Sequence, residues 1–528
     1  MMKWLLKLIF YFRTFSVTTQ VRKKMNKLHF GDNLDILRKI KGESVDLICT
    51  APPFNSGSDY KKSLEVSSSK IEGFTNIWTW DKAAEGTRVD IEKRSESCET
   101  YKALYESLCG YDMLLSNAVT GNKGAMRAYL TFMGPRLVEM YRVLSKSGSI
   151  YLHSDPTASH YIKVLMDAIW NHNNRKKSNS FKNEIVWYYR SPSRASKKYR
   201  KMHDIILFYT KTENYVFDTP KPIYENELFL RDTVKDVINK KPVRSQDAKG
   251  KYKRIQTRTD DAFLRDVWDD VGILPLMISE HLGYRTQKPS LLYTRMIETS
   301  SKEGDIVLDP FSGWGTTLDA AQALKRKWIG IDNSIVAMDV TERRLKDKYD
   351  LKLSEDYEII GIPTNLKEVQ ELATQEEKHK ILSNWAATRL NLTPTKNADN
   401  NSDAALWSLR DKKREDVRIV VEVKVGKPIP DQVRQLQKFI ENDTADIVIL
   451  VTLEPVTSEM REIADKVEKF KYKGLSFPRL QFWQITDKFF DDPESVYDEL
   501  QLPGKLRIKP TKKGDRLFPD IQFDSDMK

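Results

Sequence analysis

Residues 305–333, DIVLDPFSGWGTTLDAAQALKRKWIGIDN, decide the fold. The apolar run 306–308 carries β-branched residues between Gly304 and Pro310, so it predicts a buried strand. Phe311-Ser-Gly-Trp-Gly reads as a tight turn, and from Thr316 to Leu324 the apolar residues take helical spacing. Trp328-Ile-Gly-Ile is a second strand, closed by Asp332. Strand, glycine turn, helix and strand form a βαβ unit of a nucleotide-binding sheet. Gly313 and Gly315 have no Cβ, so a ligand can lie against the backbone and the turn can take positive φ. Asp332 follows Gly313 by 19 residues, close to the separation that sets a carboxylate before ribose hydroxyls. The spacing is not a full G-x-G-x-x-G, so the unit alone is equally consistent with plain turn chemistry.

A second stretch lies far upstream. Val45-Asp-Leu-Ile-Cys-Thr-Ala-Pro-Pro-Phe-Asn-Ser-Gly runs a strand into paired prolines and an aromatic residue. Prolines lack N–H donors and fix φ, so Phe54 is held in a stiff loop at the strand's end. Ligands of open α/β sheets bind at the carboxyl ends of strands, where an exposed ring is a stacking platform for a planar group. Taken alone, the segment fits a proline turn with a core phenylalanine better.

Together the two stretches resemble the S-adenosylmethionine-dependent amino-methyltransferases that modify exocyclic amines of DNA bases. The resemblance is to the group whose catalytic loop precedes its cofactor loop. It is carried by Gly31-Asp-Asn-Leu, the span from Arg142 to Asp155, Asn183-Glu-Ile-Val-Trp, His203-Asp-Ile-Ile-Leu-Phe-Tyr and Thr286-Gln-Lys-Pro, all in the family's order. It implies an α/β fold: a Rossmann-like mixed sheet with helices on both faces, a basic target-recognition insert and a small C-terminal α/β domain. It further implies that Phe311, Gly313, Gly315, Asp332, Thr286, Gln287, Lys288 and Pro289 hold S-adenosyl-L-methionine. Asp309 would order the turn and Asp32 would add a contact near the methionine end. The catalytic loop would be Ala51, Pro52, Pro53 and Phe54, with Phe54 stacking on an adenine or cytosine flipped out of double-stranded DNA.

Ala51 departs from the family. Its members carry Asp or Ser there, and that side chain, with a loop carbonyl, accepts the amine's hydrogens and turns its lone pair toward the sulfonium methyl. Alanine offers no acceptor, whereas the Pro52 carbonyl and the Phe54 ring remain. Both a natural replacement and an engineered Asp→Ala change are consistent with the residue. Adenine N6 is the expected target, because Pro-Pro-Phe-Asn-Ser-Gly is closer to the adenine members. Cytosine N4 and an inactive DNA-binding relative are the alternatives.

The chain has 528 residues, 40% of them hydrophobic, enough for two or three domains. Its formal net charge of +12 favours a polyanionic partner. Cys49, Cys98 and Cys109 show neither paired spacing nor clustered histidines, so neither a disulfide framework nor a zinc site is indicated. Residues 1–27 carry seven Lys or Arg and no acid, around an apolar core too short to span a bilayer. The segment is read as an untranslated leader before Met25 or as an organellar targeting peptide. The location is accordingly cytoplasmic if the chain is bacterial.

Residues 28–218 and 281–353 are the expected catalytic and cofactor halves of one core. The basic loop supplies Arg190, Arg194, Lys197 and Lys198 for phosphates; the insert, 219–280, supplies Arg231, Lys251 and Arg254 among others. Beyond a helical linker, 354–396, residues 397–503 resemble restriction-endonuclease-like modules, followed by a basic tail, 504–528. Asp403, Glu422 and Lys424 would be the metal-site carriers of such a module, though E-x-K on a half-exposed strand is a weak signal and the glycine-rich upstream pattern is missing. A homodimer and a restriction partner stay open; no membrane partner is expected.

Overall fold

The computed structural model describes residues 26–55, 78–117, 123–172, 179–190, 199–218, 265–273, 287–390, 392–394, 406–409, 417–491 and 499–503, with short strands between 229 and 257. The first sheet is built from β1 (Asn26–Phe30), β2 (Val45–Thr50), β3 (Leu144–Ser154), β4 (Phe181–Tyr188) and β5 (His203–Thr210). Two small antiparallel pairs follow, β6 (Phe229–Arg231) with β9 (Ile255–Thr257) and β7 (Val234–Lys235) with β8 (Pro242–Val243). The chain then returns to the sheet with β10 (Val267–Trp268), β11 (Ile306–Asp309), β12 (Lys327–Asp332) and β13 (Tyr357–Ile360). The strand order is β10-β4-β5-β3-β2-β11-β12-β1-β13, and β5 is antiparallel to both its neighbours.

Period-two alternation gives each strand two buried faces. On one side Ile48, Ile150, Leu152, Leu207, Leu308 and Ile331 meet α1 (Asn33–Lys39), α2 (Lys82–Ser95), α3 (Glu99–Asn117), α4 (Lys123–Val143) and α5 (Ser159–Asn171). On the other, Leu47, Cys49, Tyr151 and Val307 meet α6 (Ser290–Ser300), α7 (Thr316–Ala323) and α8 (Ile335–Tyr349). The expected Rossmann-like mixed sheet with helices on both faces is therefore present. Because β2 and β11 are parallel neighbours, with Leu47 opposite Val307 and Ile48 opposite Leu308, their two following loops leave the same sheet edge side by side.

Helix α4 starts six residues earlier than the apolar spacing from Tyr129 suggests. The helical linker expected over 354–396 contains two helices, α9 (Leu366–Ala373) and α10 (His379–Arg389). The break is fixed by His379, whose Nε2 lies 2.8 Å from the Ala373 carbonyl and satisfies an orphan acceptor at the end of α9.

A second sheet has the order β14 (Thr393–Pro394), β15 (Leu406–Leu409), β16 (Ile419–Lys424), β17 (Ile447–Thr452) and β20 (Leu480–Gln484), with β16, β17 and β20 parallel. A hairpin, β18 (Phe470–Tyr472) with β19 (Leu475–Phe477), precedes β20, and α13 (Lys488–Asp491) follows it. Helices α11 (Pro430–Glu441) and α12 (Ser458–Asp465) cover one face through Val433, Leu436, Ile440 and Met460. The other face, with Ile419, Val421 and Ile449, joins the apolar cluster that holds Trp385 of α10 and Trp328 and Tyr357 of the first sheet. The two sheets thus share one continuous apolar core.

Candidate active site

Asp309 ends β11 and is buried. Its carboxylate accepts hydrogen bonds from Thr50 Oγ1 at 2.8 Å, Thr317 Oγ1 at 2.6 Å and the Phe311 amide at 3.0 Å. Thr50 is the last residue of β2 and Thr317 sits in the first turn of α7, so one side chain ties the proline loop to the glycine turn. Burial pushes its carboxyl up to about 6, against the pull of those donors.

In the turn, Gly313 and Gly315 have φ of 48° and 73°. A Cβ on Gly315 would sit 2.6 Å from Thr341 Cγ2, whereas one on Gly313 would meet nothing within 4 Å. Gly315 is therefore demanded by packing, and Gly313 faces open space. Asp332 accepts from the amides of Gly313 at 2.8 Å and Ser334 at 2.9 Å, and burial pushes its carboxyl up to about 6. Arg344 donates to the Trp314 carbonyl at 3.2 Å, to Asp319 at 2.6 Å and to Ser290 Oγ at 3.4 Å. It thereby ties the turn to the start of α6, next to Pro289, which occupies the N-cap position of that helix. Phe311 lies 6.4 Å from Phe132, ring to ring.

Asp32 is already engaged. It caps α1 through the Leu34 amide at 2.7 Å and holds the Arg136 guanidinium with both oxygens, at 3.0 and 2.8 Å. Arg136 also donates to Asn33 at 2.6 Å, and Asn33 donates to the Pro310 carbonyl at 2.7 Å. Burial lowers the Arg136 guanidinium to about 10, with Asp32 opposing. Asp32 is thus linked through Arg136 and Asn33 to Pro310 at the entry of the turn.

The proline loop carries a different environment. The Phe54 ring lies 5.6 Å from the His153 ring, and the Lys288 ammonium is 5.2 Å from the Phe54 centroid and 5.5 Å from that of Trp187. Asp204, at the start of β5, takes His153 Nε2 at 3.0 Å, Lys288 Nζ at 3.6 Å and the Tyr189 hydroxyl at 3.1 Å. Burial lowers both the His153 imidazole and the Lys288 ammonium, while their proximity holds Asp204 far below the usual carboxylate range. Lys288, read from the sequence as a cofactor residue, therefore stands with the aromatic loop. Trp78 Nε1 donates to the Phe54 carbonyl at 3.2 Å and fixes the loop's outgoing end. Ala51 and Pro53 are half-buried and Pro52 is buried.

Of the remaining candidates read from the sequence, Gln287 is buried, and Arg190 is exposed at the end of the segment following β4. Arg231 contributes backbone to β6. Thr286, Arg194, Lys197, Lys198, Lys251, Arg254 and Asp403 lie outside the described residues. Glu422 and Lys424 are two apart on β16, hence on one face; Glu422 is buried and its carboxyl is pushed up to about 7 by desolvation. Among the described residues no group of three His, Cys, Asp or Glu could hold a metal ion, and no helix is long and apolar enough to cross a membrane. Sequence reading missed His153, Asp204, Arg136 and Arg344 as site residues. A buried His paired with an Asp on another strand leaves no local pattern, although the motifs 142–155 and 203–209 contained His153 and Asp204.

Fold and loops define a doubly wound α/β protein with an aromatic loop and an open glycine turn side by side at the carboxyl ends of central strands. The family described as DNA methylase matches residues 45–343, and the chain belongs to it. YhdJ of Escherichia coli K12, a DNA adenine methyltransferase, is 26% identical over 335 residues, 63% of this chain and 87% of that protein. The type II methyltransferase M.HpaI of Haemophilus parainfluenzae is 30% identical over 342 residues, 65% of this chain and 81% of that protein. A solved structure described as a DNA modification methylase of Thermus thermophilus, complexed with S-adenosyl-L-methionine, is 17% identical. It covers 64% of this chain and 99% of that chain, with a TM-score of 0.34.

Proposed function

We propose that this chain is a DNA amino-methyltransferase that uses S-adenosyl-L-methionine to methylate the exocyclic amine of a flipped base, adenine N6 in first place. The observation that carries the reading is the Thr50–Asp309–Thr317 bridge, which locks the proline loop against the glycine turn. The turn fits the adenosyl group: Gly313 leaves open space where a side chain would stand, and Asp332 ends the adjoining strand with a carboxylate that can accept ribose hydroxyls. S-adenosyl-L-methionine supplies the electrophilic methyl when bound. The protein's part is to hold amine and methyl in line, and such positioning is worth roughly 7–11 kcal/mol of barrier. Phe54 stacks on the extruded base, and Pro52 offers a carbonyl to the amine.

Adenine is favoured by the sequence around Phe54 and by the relative named as an adenine methyltransferase. Ala51 favours a second reading, a DNA-binding relative with impaired transfer. Transfer of labelled methyl from S-adenosyl-L-methionine to unmethylated DNA, followed by nucleoside analysis, tests both. Expected is N6-methyladenine, formed slowly by this chain and at least tenfold faster by Ala51→Asp. Cofactor and DNA binding without product in either chain would leave the binding-only reading; N4-methylcytosine would replace the base assignment.

A further inference from the structure

We propose, resting on the reading that a flipped base is the substrate, that Nδ1 of His153 accepts a hydrogen from its exocyclic amine. It would supply from β3 the acceptor that Ala51 lacks in the loop after β2. The register of the two parallel strands pairs Cys49 with Tyr151 and Thr50 with Leu152. His153, two residues after Tyr151 on β3, shares the face of Cys49 and Tyr151, and Ala51 follows the paired end of β2 by one residue. The imidazole stands between aromatic rings, 5.6 Å from that of Phe54 and 5.5 Å from that of Trp187.

Its bonding fixes the tautomer. Nε2 lies 3.0 Å from Asp204 Oδ2, and a carboxylate only accepts, so Nε2 carries the hydrogen and Nδ1 keeps its lone pair. Nδ1 is buried and without a hydrogen-bond partner. Asp155, which follows β3, also has an unpartnered buried oxygen, Oδ1, and is a charged neighbour of His153, Lys288 and Tyr129. Folded proteins leave few buried polar atoms unpaired, so the free ring nitrogen beside Phe54 marks a place where a polar ligand completes the bonding.

The chemistry needs such an atom. The amine's lone pair is delocalised into its ring until its hydrogens are held out of plane. The lone pair forms the new N–C bond while the pair of the breaking C–S bond stays on sulfur, leaving the nitrogen with one proton too many. That proton passes to Nδ1, giving an imidazolium that Asp204 offsets, and then to water. The charged groups facing the ring are Asp204, Lys288 and Asp155, with the Tyr189 hydroxyl bound to Asp204. Burial, aided by Lys288, keeps the ring neutral below its ordinary range.

The test is single-turnover methyl transfer to unmethylated DNA by four full-length chains: the chain as it stands, His153→Gln, Ala51→Asp and the double variant. Tritiated cofactor binding is measured alongside. His153→Gln is expected to slow transfer at least tenfold in the Ala51 chain and less than threefold in the Ala51→Asp background, with cofactor binding unchanged. The Ala51 chain should also lose rate on the acid side as the ring protonates, and His153→Gln should abolish that limb. Nitrogen-15 spectra of the histidines should show an unprotonated Nδ1 whose resonance moves when DNA is added. An equal loss in both backgrounds, no loss in the first, or an inert Ala51 chain beside an active Ala51→Asp would overturn the proposal. If Ala51→Asp binds cofactor yet methylates no DNA, the methyltransferase reading itself fails and this inference with it.

Discussion

Asp309 accepts three hydrogen bonds where water does not reach. Removing the carboxylate leaves two hydroxyls and an amide unpaired, each costing about 1–3 kcal/mol if it stays buried. Asn keeps one carbonyl oxygen as acceptor, and its NH2 can donate to a threonine hydroxyl that has turned round. Urea unfolding is expected to show Asp309→Ala losing about 2–4 kcal/mol and Asp309→Asn about 1 kcal/mol; equal losses would mean that the bonds do not hold the loops. Glu422 poses the opposite case, a buried carboxyl at about 7 raised from 4.5. Because its folded value is above the unfolded one, its contribution is present below pH ~4.5 and is lost as pH rises through 7. Glu422→Gln should therefore flatten the pH dependence of Tm between about 4.5 and 7, and stabilise the protein by about 1–3 kcal/mol at pH ~8. A variant less stable than the parent at that pH would place an unseen partner on Glu422.

At the scale of elements, the glycine turn separates conformation from ligand space. Both glycines are left-handed, which costs a side chain about 1–2 kcal/mol. Gly315→Ala adds a collision with Thr341, so its loss of stability should exceed about 2 kcal/mol and Tm should fall by several degrees. Gly313→Ala meets no protein atom; Tm should drop little while the Kd for S-adenosyl-L-methionine, measured by calorimetry, rises at least tenfold. Unchanged Kd in Gly313→Ala would move the cofactor away from this turn. The strand–turn–helix–strand unit was legible because its information is local: β-branched run, proline, glycines, helical spacing. The same holds for β2, stopped by its own prolines. The ties between elements were not legible. Arg136 meets Asp32 across 104 positions, His153 meets Asp204 across 51, and Thr50 meets Asp309 across 259, and nothing local announces such pairs. The place of the Lys288 ammonium beside Asp204 and the Phe54 and Trp187 rings was likewise not legible in the sequence around it.

For the whole molecule, the shared apolar core explains why the sequence's change of character near Ser354 does not appear as a physical separation. The apolar faces of β16 and β17 are closed by α10, whose Arg389 reaches Glu342 of α8 at 3.6 Å. Under the proposed base extrusion, this chain of net charge +12 must first hold a polyanion through phosphate contacts that salt releases. Each contact contributes about 0.9 to the slope of log affinity against log salt. Replacing Arg190, Arg194, Lys197 and Lys198 by Ala should lower the slope by that amount for every side chain on a phosphate, and weaken binding alike for all DNA sequences. Changes at Arg231, Lys251 or Arg254 in the insert should shift the preferred sequence while altering the slope less. Binding titrations at several salt concentrations, on cognate and scrambled duplexes, distinguish the two sets. A quadruple variant with an unchanged slope would take the loop off the DNA, and insert variants that weaken all sequences equally would take base reading out of the insert.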